Sequence, residues 1–455
     1  MKNRIEMDFG KTGIPALFSR MLYPTLAGML FSVLFTITDG IFVGRGLGSD
    51  ALAAVNIAAP LFLISTGFGL MFGMGASVMA SINISAGKIR AARINMTHAL
   101  IASSAIMITA TALILAFPES VLTILGCSER LMPLALDYIY GFVPFITFNM
   151  LICATGFFVR LDGAPKYAMA CAITAASINI ILDYLFIFEW GWGMFGAALA
   201  TGIGTAIGTV MLIAHLCRRR ITMRFARIRF CRRTLTLARR QVAQMCRLGV
   251  SSLLSEVAVA SMMLCGNYVF IRLTGEDGVA GFSIACYFFP IVYMIYNSIA
   301  QSAQPIISFN YGAANMRRVN QCLMLALYTA LACSVVLTSA TMLFSRPIVA
   351  MFIDRSSPAF EIAANGLPLF AVGFIPFAVN LISIGYFQSI EATATANTIT
   401  ILRGYVLVAL SFIVMPMLYG QSGAWLAVPA AEIATLMVLV WRRFAKAAHR
   451  PAPNY

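Results

Sequence analysis

Long apolar runs alternate with short polar connections along almost the whole chain. A helix that crosses a bilayer needs about 20 apolar residues, and twelve runs reach that length. Their predicted spans are residues 15–43, 52–84, 94–117, 132–158, 166–188, 193–217, 248–272, 279–309, 317–345, 360–388, 395–418 and 421–441. The pattern predicts an all-α integral membrane protein with twelve transmembrane helices.

The composition agrees with a membrane protein. Of the 455 residues, 60% are hydrophobic and 11% are charged, whereas a soluble domain carries about 25% charged residues. The ten cysteines include no CxxC pair, and only Cys127 falls in a predicted outer segment, so we expect no disulfide framework. The three histidines are far apart in the chain, so we expect no histidine metal cluster and no cofactor.

The distribution of positive charge predicts the orientation. If the N-terminus is cytoplasmic, the inner segments hold 26 of the 32 Lys and Arg residues, the outer loops hold five, and only Arg403, near the start of helix 11, is left over. The opposite orientation would invert the positive-inside rule. We therefore expect a multi-pass protein of the cell (inner) membrane with both termini in the cytoplasm. Residues 1–24 lack the pattern of a cleavable signal and are interpreted as an amphipathic lead into helix 1.

One inner segment supplies much of the net charge of +15. Between Cys217 and Arg247 the chain has eleven arginines and no acidic residue. Basic runs can bind nucleic acid, but this run lies between two membrane spans. We therefore expect a linker that faces lipid headgroups, and no nucleic-acid partner.

The same segment divides the chain into two similar halves. "LAAVNIAAPLFLI" at residue 52 resembles "VAGFSIACYFFPI" at 279, and "GMFGAALA" at 193 resembles "GQSGAWLA" at 420. The spacing is near 227 residues, and both halves begin on the same side of the membrane. We expect an N-lobe (1–217, helices 1–6), a cytoplasmic linker (218–247) and a C-lobe (248–455, helices 7–12), related by a pseudo-two-fold axis along the membrane normal around a central cavity.

Four acids lie inside the predicted helices, where an ionised carboxylate is costly. They are Asp39 in helix 1, Asp183 in helix 5, Glu256 in helix 7 and Glu432 in helix 12. Acids in such places usually belong to ion or proton pathways. The alternative, strongest for Glu432, is an acid that one partner holds for structural reasons.

Depth along the helices predicts that two of these acids share a pocket. Asp39 and Asp183 lie shortly before the outer ends of helices 1 and 5, and Thr201 lies about two turns below the outer start of helix 6. Asn179 lies one turn from Asp183 on the same helix face. Two carboxylates, an amide and a hydroxyl are oxygen ligands, which suit Na⁺ or a shared proton.

The repeat provides an internal comparison for this pocket. The positions 227 residues after Asp39, Asn179 and Asp183 hold Gly266, Val406 and Leu410, in that order. Acids that only held helices together would be needed in both halves, so the polar cluster is expected to be a specialisation of the first half.

Glu256 is different from these acids, because it lies near the inner end of helix 7. It could contact a cationic substrate, carry a second proton, or satisfy nearby hydroxyl groups.

Several stretches resemble the MATE (multidrug and toxin extrusion) family, and the likeness covers nearly the whole chain. They are "TDGIFVGRGLGSDALAAVNIAAP", "FVRLDGAPKYAMACAITAASINIILDYLFIF", "GMFGAALATGIG" and "QPIISFNYGAANMRRV". The DinF-type and MepA-like branches are the most similar. The resemblance implies a secondary antiporter, not an enzyme, that exports organic and often cationic compounds in exchange for H⁺ or Na⁺ by alternating access.

The resemblance also assigns residues. The first-lobe coupling site of the DinF-type branch resembles Asp39, Asn179, Asp183 and Thr201, and Pro24 matches a proline at which a bend of helix 1 has been proposed to accompany protonation. The NorM-type branch pairs a helix 7 glutamate, here Glu256, with an acid in helix 10. The helix 10 segment "FIPFAVNLISIGYFQ" has no acid, so coupling through the first lobe is favoured.

Three other functions remain as alternatives. A lipid-linked precursor flippase of the same superfamily often has more than twelve helices and basic residues in its cavity. Here the transmembrane acids outnumber the transmembrane bases, which favours a cationic, amphipathic cargo. A membrane-embedded prenyltransferase needs paired DxxxD-type motifs, and "NIILD" is half of one. A receptor or scaffold would not require the buried acids.

We expect the protein to be a monomer surrounded by membrane lipid.

Overall fold

The structure is a computed structural model, and it describes residues 7–218, 221–227 and 232–448. These residues form α-helices with short 3₁₀ and π segments, and the described part of the chain contains no strand. The predicted all-α class is confirmed.

The first half contains eight α-helices, which form six membrane spans. Residues 143–145 join α5 to α6 as a 3₁₀ turn, and residues 185–189 extend α7 as a π-helix. The helices are α1 (Ile14–Leu47), α2 (Ser49–Ser85), α3 (Ile89–Ala116), α4 (Pro118–Ile124), α5 (Met132–Phe142), α6 (Ile146–Leu161), α7 (Pro165–Tyr184) and α8 (Gly193–Leu216).

The second half contains longer helical segments. They are α9 (Arg232–Gly312), α10 (Met316–Leu343), α11 (Ser345–Ala350), α12 (Pro358–Ala371), α13 (Phe374–Ser389), α14 (Thr393–Ile401) and α15 (Leu407–Ala448). A π segment at 402–406 joins α14 to α15. Helices α12 and α13 meet at a bend of 47° and pass the length and apolarity test for a span only as a pair.

The number of spans depends on two glycines. In the described residues, nine helical segments are long and apolar enough to cross a membrane, or ten with the bent pair. One of them, α9, is 81 residues long and consists of two helices that meet at Gly275 (φ 66°, ψ −153°). Another contains the same kind of break at Gly420 (φ 56°, ψ −133°). Division at these two glycines gives twelve spans, as predicted.

The breaks recur with the period of the sequence repeat. Gly275 corresponds to Gly48 at φ 93°, and Gly420 corresponds to Gly193 at φ 58°. A left-handed φ costs a residue with a Cβ atom roughly 1–2 kcal/mol and costs glycine almost nothing. The sharp connections at the same point of each half therefore follow from glycines 227 residues apart.

The helices pack into two compact units. The described residues of the first unit lie within Met1–Glu256, Gln301–Cys322 and Gln388–Glu391. Its apolar core includes Phe72, Phe142 and Phe158, each less than 2% exposed. The first unit thus takes in short parts of α9, α10 and α13 from the second half of the chain.

The second unit is built around stacked aromatic rings. Its described residues lie within Val257–Ala300, Leu323–Phe387 and Ala392–Tyr455. The Phe270 and Phe282 rings stack at 4.7 Å, and Trp425 meets Phe270 edge-on at 5.1 Å. Gly366 makes room for this tryptophan, because a Cβ atom there would clash with the indole ring.

The arginine-rich segment is partly helical and partly fastened to the first unit. Helix α9 already begins at Arg232, well before the predicted start of helix 7 at residue 248, because apolar residues such as Met245 interrupt the arginines and are buried. The Met223 amide donates to Asp162 (2.9 Å), and Arg93 donates to the Thr222 carbonyl (2.8 Å). Residues 219–220 and 228–231 of the predicted linker lie outside the described residues.

Candidate functional site

Helix α1 carries the first of the four predicted site residues. It runs without interruption from Ile14 to Leu47, through Pro24. A proline inside a helix removes one backbone hydrogen bond and so marks the turn that is easiest to bend. Asp39 lies about four turns beyond Pro24, and its side chain is only partly buried.

Glycines allow α7 and α8 to approach closely. A Cβ atom at Gly204 would lie 2.8 Å from the Ala175 carbonyl oxygen and 3.1 Å from the Asn179 Cβ. Without that Cβ atom, one turn of α8 packs directly on the backbone of α7. The close packing brings Thr201 of α8 to the side chain of Asn179.

The four predicted site residues meet in one place. The Asn179 amide donates to the Thr201 hydroxyl (3.2 Å), which donates to the Ala197 carbonyl (3.3 Å). The Asp183 carboxyl group interacts with both the Asn179 side chain and the Asp39 carboxyl group. Asp183 and Asn179 are 0% and 2% exposed, so three helices of the first unit enclose these polar groups.

Three oxygens of this cluster accept no hydrogen bond of regular geometry from the described residues. Both carboxylate oxygens of Asp183 and the Oδ1 atom of Asn179 are buried, and no described group donates a hydrogen bond of regular geometry to any of them. A buried polar atom left in this way costs roughly 1–3 kcal/mol. Such a set of acceptors fits a proton, or a hard cation that prefers oxygen ligands. No described site groups three or more His, Cys, Asp or Glu side chains as a metal site would.

A tyrosine that the sequence reasoning missed lies beside this cluster. Tyr138 of α5 is 8% exposed and lies within electrostatic range of both Asp39 and Asp183. Its ring also packs on Phe142 at 5.9 Å. A signal was available, because helix 4 begins on the outer side near residue 132. Tyr138 therefore lies about two turns down, at the depth already inferred for Thr201.

Glu256 lies in a different polar region of the first unit. It is 5% exposed in α9 and lies within electrostatic range of Cys153 of α6. Arg160, on the last turn of α6, donates to Gln301 (2.8 Å), and its guanidinium lies over the Phe157 ring at 4.8 Å. The buried Nε atom of Arg160 meets no acceptor in the described residues. Sequence reasoning ended helix 4 at residue 158 and so left this arginine outside it.

Glu432 is paired with a base in the second unit. The Arg403 Nε atom lies 2.6 Å from the Glu432 carboxylate, and Asn380 donates to the same carboxylate at 2.8 Å. The guanidinium also lies 4.3 Å from the centre of the Phe377 ring. Arg403 and Glu432 are 5% and 2% exposed. The intramembrane arginine that the charge pattern left unassigned thus pairs with the acid for which a structural role was strongest.

Comparisons with known proteins identify the family of the chain. The MatE family matches residues 24–185 and 252–414, which is well over half of the chain and one stretch in each half. The multidrug export protein MepA of Staphylococcus aureus (strain NCTC 8325 / PS 47) is 22% identical over 441 residues, covering 97% of this chain and 96% of the relative. An FAD transporter of Shewanella oneidensis is 24% identical over 343 residues, covering 73% of each.

A solved structure shares the fold. It is described as the outward-facing conformation of a multidrug resistance MATE family transporter of the MOP superfamily, and it superposes with a TM-score of 0.90. The sequence identity is 22%, with 98% of this chain and 99% of that chain covered. The chain therefore belongs to the MatE family of multi-pass membrane transporters.

Proposed function

We propose that this transporter is a secondary antiporter that exports organic, amphipathic cations in exchange for H⁺ or Na⁺ by alternating access. The observation that carries the proposal is the cluster of Asp39, Asp183, Asn179 and Thr201, with three buried oxygens that accept no hydrogen bond of regular geometry from the described residues. A proton or Na⁺ would supply what those oxygens lack. No enzymatic step is involved.

The coupling follows from the charge of the two carboxyl groups. When a proton or Na⁺ lies between Asp39 and Asp183, their mutual repulsion is relieved and α1 and α7 remain in contact. When the ion leaves, repulsion favours a separation of the two helices. Differential affinity of this kind is what biases an equilibrium between two conformations. Pro24 is the point of α1 that would bend most easily, because one backbone hydrogen bond is absent there.

The charge of the cargo and the orientation in the membrane are inferred from charged residues of the chain. Two acids without a basic partner favour a cationic cargo, and Glu256 is a candidate for a substrate contact or a second proton site. The positive charge of the inner segments favours insertion in the cell (inner) membrane with both termini cytoplasmic. The arginine-rich residues 218–247 would contact anionic headgroups. We expect a monomer.

Export of an anionic, nucleotide-like compound is the second candidate. It is favoured by the likeness to the FAD transporter and by the buried Arg160, whose Nε atom meets no acceptor in the described chain. Arginine is the side chain that best recognises phosphate and carboxylate groups. A lipid-linked precursor flippase would use the same kind of basic group.

Reconstituted vesicles test the proposal. Purified protein is placed in liposomes with an ethidium-like dye and with either a pH gradient or a Na⁺ gradient. We expect gradient-driven movement of the dye, and the effective gradient identifies the coupling ion. Movement of FAD or of a lipid-linked oligosaccharide without movement of cationic dye would replace the proposal with the corresponding alternative.

A further inference from the structure

The segment that precedes α1 is fastened to the junction of α9 and α10. Arg318 of α10 donates to the backbone carbonyls of Phe9 (3.0 Å) and Thr12 (2.6 Å). Its Nε atom donates to the Asn310 side chain at 2.9 Å, and Asn310 in turn donates to the Phe9 carbonyl at 3.1 Å. The Phe9 ring packs on Phe309 at 5.8 Å. All of these residues belong to the first compact unit.

This segment, residues 8–13, has a shape of its own, and we call it the strap. The Asp8 carboxylate accepts hydrogen bonds from the backbone amides of Gly10 (2.9 Å) and Lys11 (3.1 Å), and the Asp8 carbonyl accepts one from Thr12 (3.1 Å). This turn directs the Phe9 and Thr12 carbonyls to the same guanidinium group. Arg318 therefore binds a preformed turn and not a random chain end.

Beside the strap, α2 and α9 meet through small and polar residues. The Ser77 hydroxyl donates to the Gln304 side chain (3.2 Å), and these two residues are repeat equivalents, 227 positions apart. Four residues further along α2, the Ser81 hydroxyl donates to the Pro305 carbonyl (3.2 Å). We call this line of contacts the seam. Ser77, Ser81 and Gln304 are at most 1% exposed.

The chemistry of the strap and the seam suits a contact that opens and closes. Hydroxyls, amides and carbonyls that separate can exchange their partners for water at little net cost, whereas a separated apolar face would be exposed to water at a cost proportional to its area. The symmetric pairing of Ser77 with Gln304 also means that equivalent points of the two repeats meet here. A rocking motion that separates the repeats at this end must break this seam.

We infer that the strap and the seam form a latch at the cytoplasmic end, which is closed in this structure and opens once in each transport cycle, with Arg318 as the residue that holds it shut. The inference rests on the proposed alternating-access function and on the proposed orientation, in which the ends of α2 and α9 are cytoplasmic.

Cross-linking tests whether the seam must open. In a variant without native cysteines, S77C/Q304C is oxidised to a disulfide and dye export from vesicles is measured. We expect export to stop after oxidation and to return after reduction, so the reduced protein is its own folding control. A matched pair, S65C/N149C, replaces a hydrogen bond between α2 and α6 (2.6 Å) that lies within the first repeat, and its oxidation is expected to leave export unchanged. Full export by oxidised S77C/Q304C would overturn the inference.

Hydrogen–deuterium exchange tests the latch without cysteines and without cargo. R318Q removes the guanidinium from the strap, and R317Q removes the same charge from the exposed neighbouring residue. We expect exchange of the amides of Thr12 and Leu17 to become at least several-fold faster in R318Q and to remain unchanged in R317Q. Equal exchange in R318Q and the wild type would reject Arg318 as the latch. Because this readout needs no export, a failure of the proposed function would be seen separately, in the wild-type vesicles.

Discussion

Asp39 and Asp183 in the first half of the chain and Glu432 in the second are acids within predicted membrane spans, but among these three, in the described residues, only Glu432 forms an ion pair with a base. Glu432 is bound by Arg403 and Asn380 at 2.6 and 2.8 Å. The polar groups that interact with Asp39 and Asp183 among the described residues are a tyrosine, an asparagine and each other.

The difference shows how one residue type can serve two purposes. In an acid paired with a buried arginine, each charge compensates the other, and removal of either leaves the other uncompensated. A pair of acids without a base is stable only when something else supplies positive charge. The second arrangement can therefore respond to an ion, and the first cannot. The following substitutions test this comparison.

The largest effect is expected when either unpaired acid is neutralised. D39N keeps the size and hydrogen-bonding groups of Asp39 but removes the charge, so gradient-driven dye export should fall to the level of empty vesicles. D183N should do nearly the same, because both carboxylates are needed to hold one cation or one proton. The measurement is export at equal protein content, together with thermal unfolding of each variant.

The control for this prediction is stability. Removal of an intramembrane charge that has no partner should leave the unfolding temperature unchanged or raise it, because the desolvation cost disappears. Wild-type export by D39N would show that the carboxylate is structural and that the coupling site lies elsewhere.

The same chemical change at Glu432 should have the opposite consequence. E432Q leaves Arg403 buried without a counter-charge, which costs roughly 3–5 kcal/mol in comparable sites. We expect a large fall in unfolding temperature, with export per folded molecule retained. Thermal unfolding of E432Q beside D39N gives a direct comparison of one acid-to-amide change in each half.

A double variant separates charge from packing at this pair. R403M/E432M removes both charges together and should recover most of the stability lost in E432Q, since an apolar pair of similar size is often as stable as a buried ion pair. If E432Q unfolds like the wild type, the ion pair does not stabilise the second half and the comparison fails.

A smaller effect is expected at Tyr138. Y138F removes only the hydroxyl, which lies within electrostatic range of Asp39 and Asp183. A neutral polar interaction of this kind contributes about 0.5–1.5 kcal/mol, or roughly 2- to 10-fold in ion affinity. We expect the pH or Na⁺ dependence of export to shift by an amount in this range, with maximal export preserved. Y140F, on the neighbouring exposed tyrosine, serves as the matched control, and equal profiles for both variants would remove Tyr138 from the site.

The smallest effect, on stability, is expected at two turns in which a glycine of the first repeat is replaced by a residue with a Cβ atom in the second. At the turn after α6 the left-handed residue is Gly163 (φ 82°), and at the equivalent turn after α13 it is Glu391 (φ 58°). E391G should raise the free energy of unfolding by about 1 kcal/mol, because a Cβ atom is disfavoured at this φ. Ala314 (φ 55°) is the repeat equivalent of Gly87, and A314G should raise the free energy of unfolding by a similar amount. Thermal unfolding measures both, and a lower unfolding temperature in both variants would contradict the argument.

The Glu391 variant also has a pH signature. Partial burial raises the pKa of the Glu391 carboxyl group above its ordinary value of 4.5. An acid with a raised pKa in the folded state binds more protons there, so its contribution favours the folded state below pH 4.5 and is lost as the pH rises through the folded-state pKa. The gain from E391G should therefore be larger above that pKa than below pH 4.5.

Much of this protein follows from its sequence because membrane spans are local. Each helix satisfies its own backbone hydrogen bonds, so length and apolarity are enough to predict it. The 227-residue repeat then predicts where the chain must turn, and Gly48 and Gly275 occupy equivalent breaks. The depth of Asp39, Asp183 and Thr201 also follows from counting residues along a helix, and the structure brings these residues together.

Contacts between helices were decided only by the tertiary structure. Which face of a helix meets which neighbour depends on its rotation and tilt, and these depend on small residues such as Gly204, whose contacts involve distant parts of the chain. The ion pair of Arg403 with Glu432 joins residues 29 positions apart. The hydrogen bond from Arg318 to the Thr12 carbonyl joins residues 306 positions apart. No spacing rule within one helix relates such positions. The sequence alone therefore determined which polar groups lie within the membrane, and the packing of the helices decided which of them are neutralised.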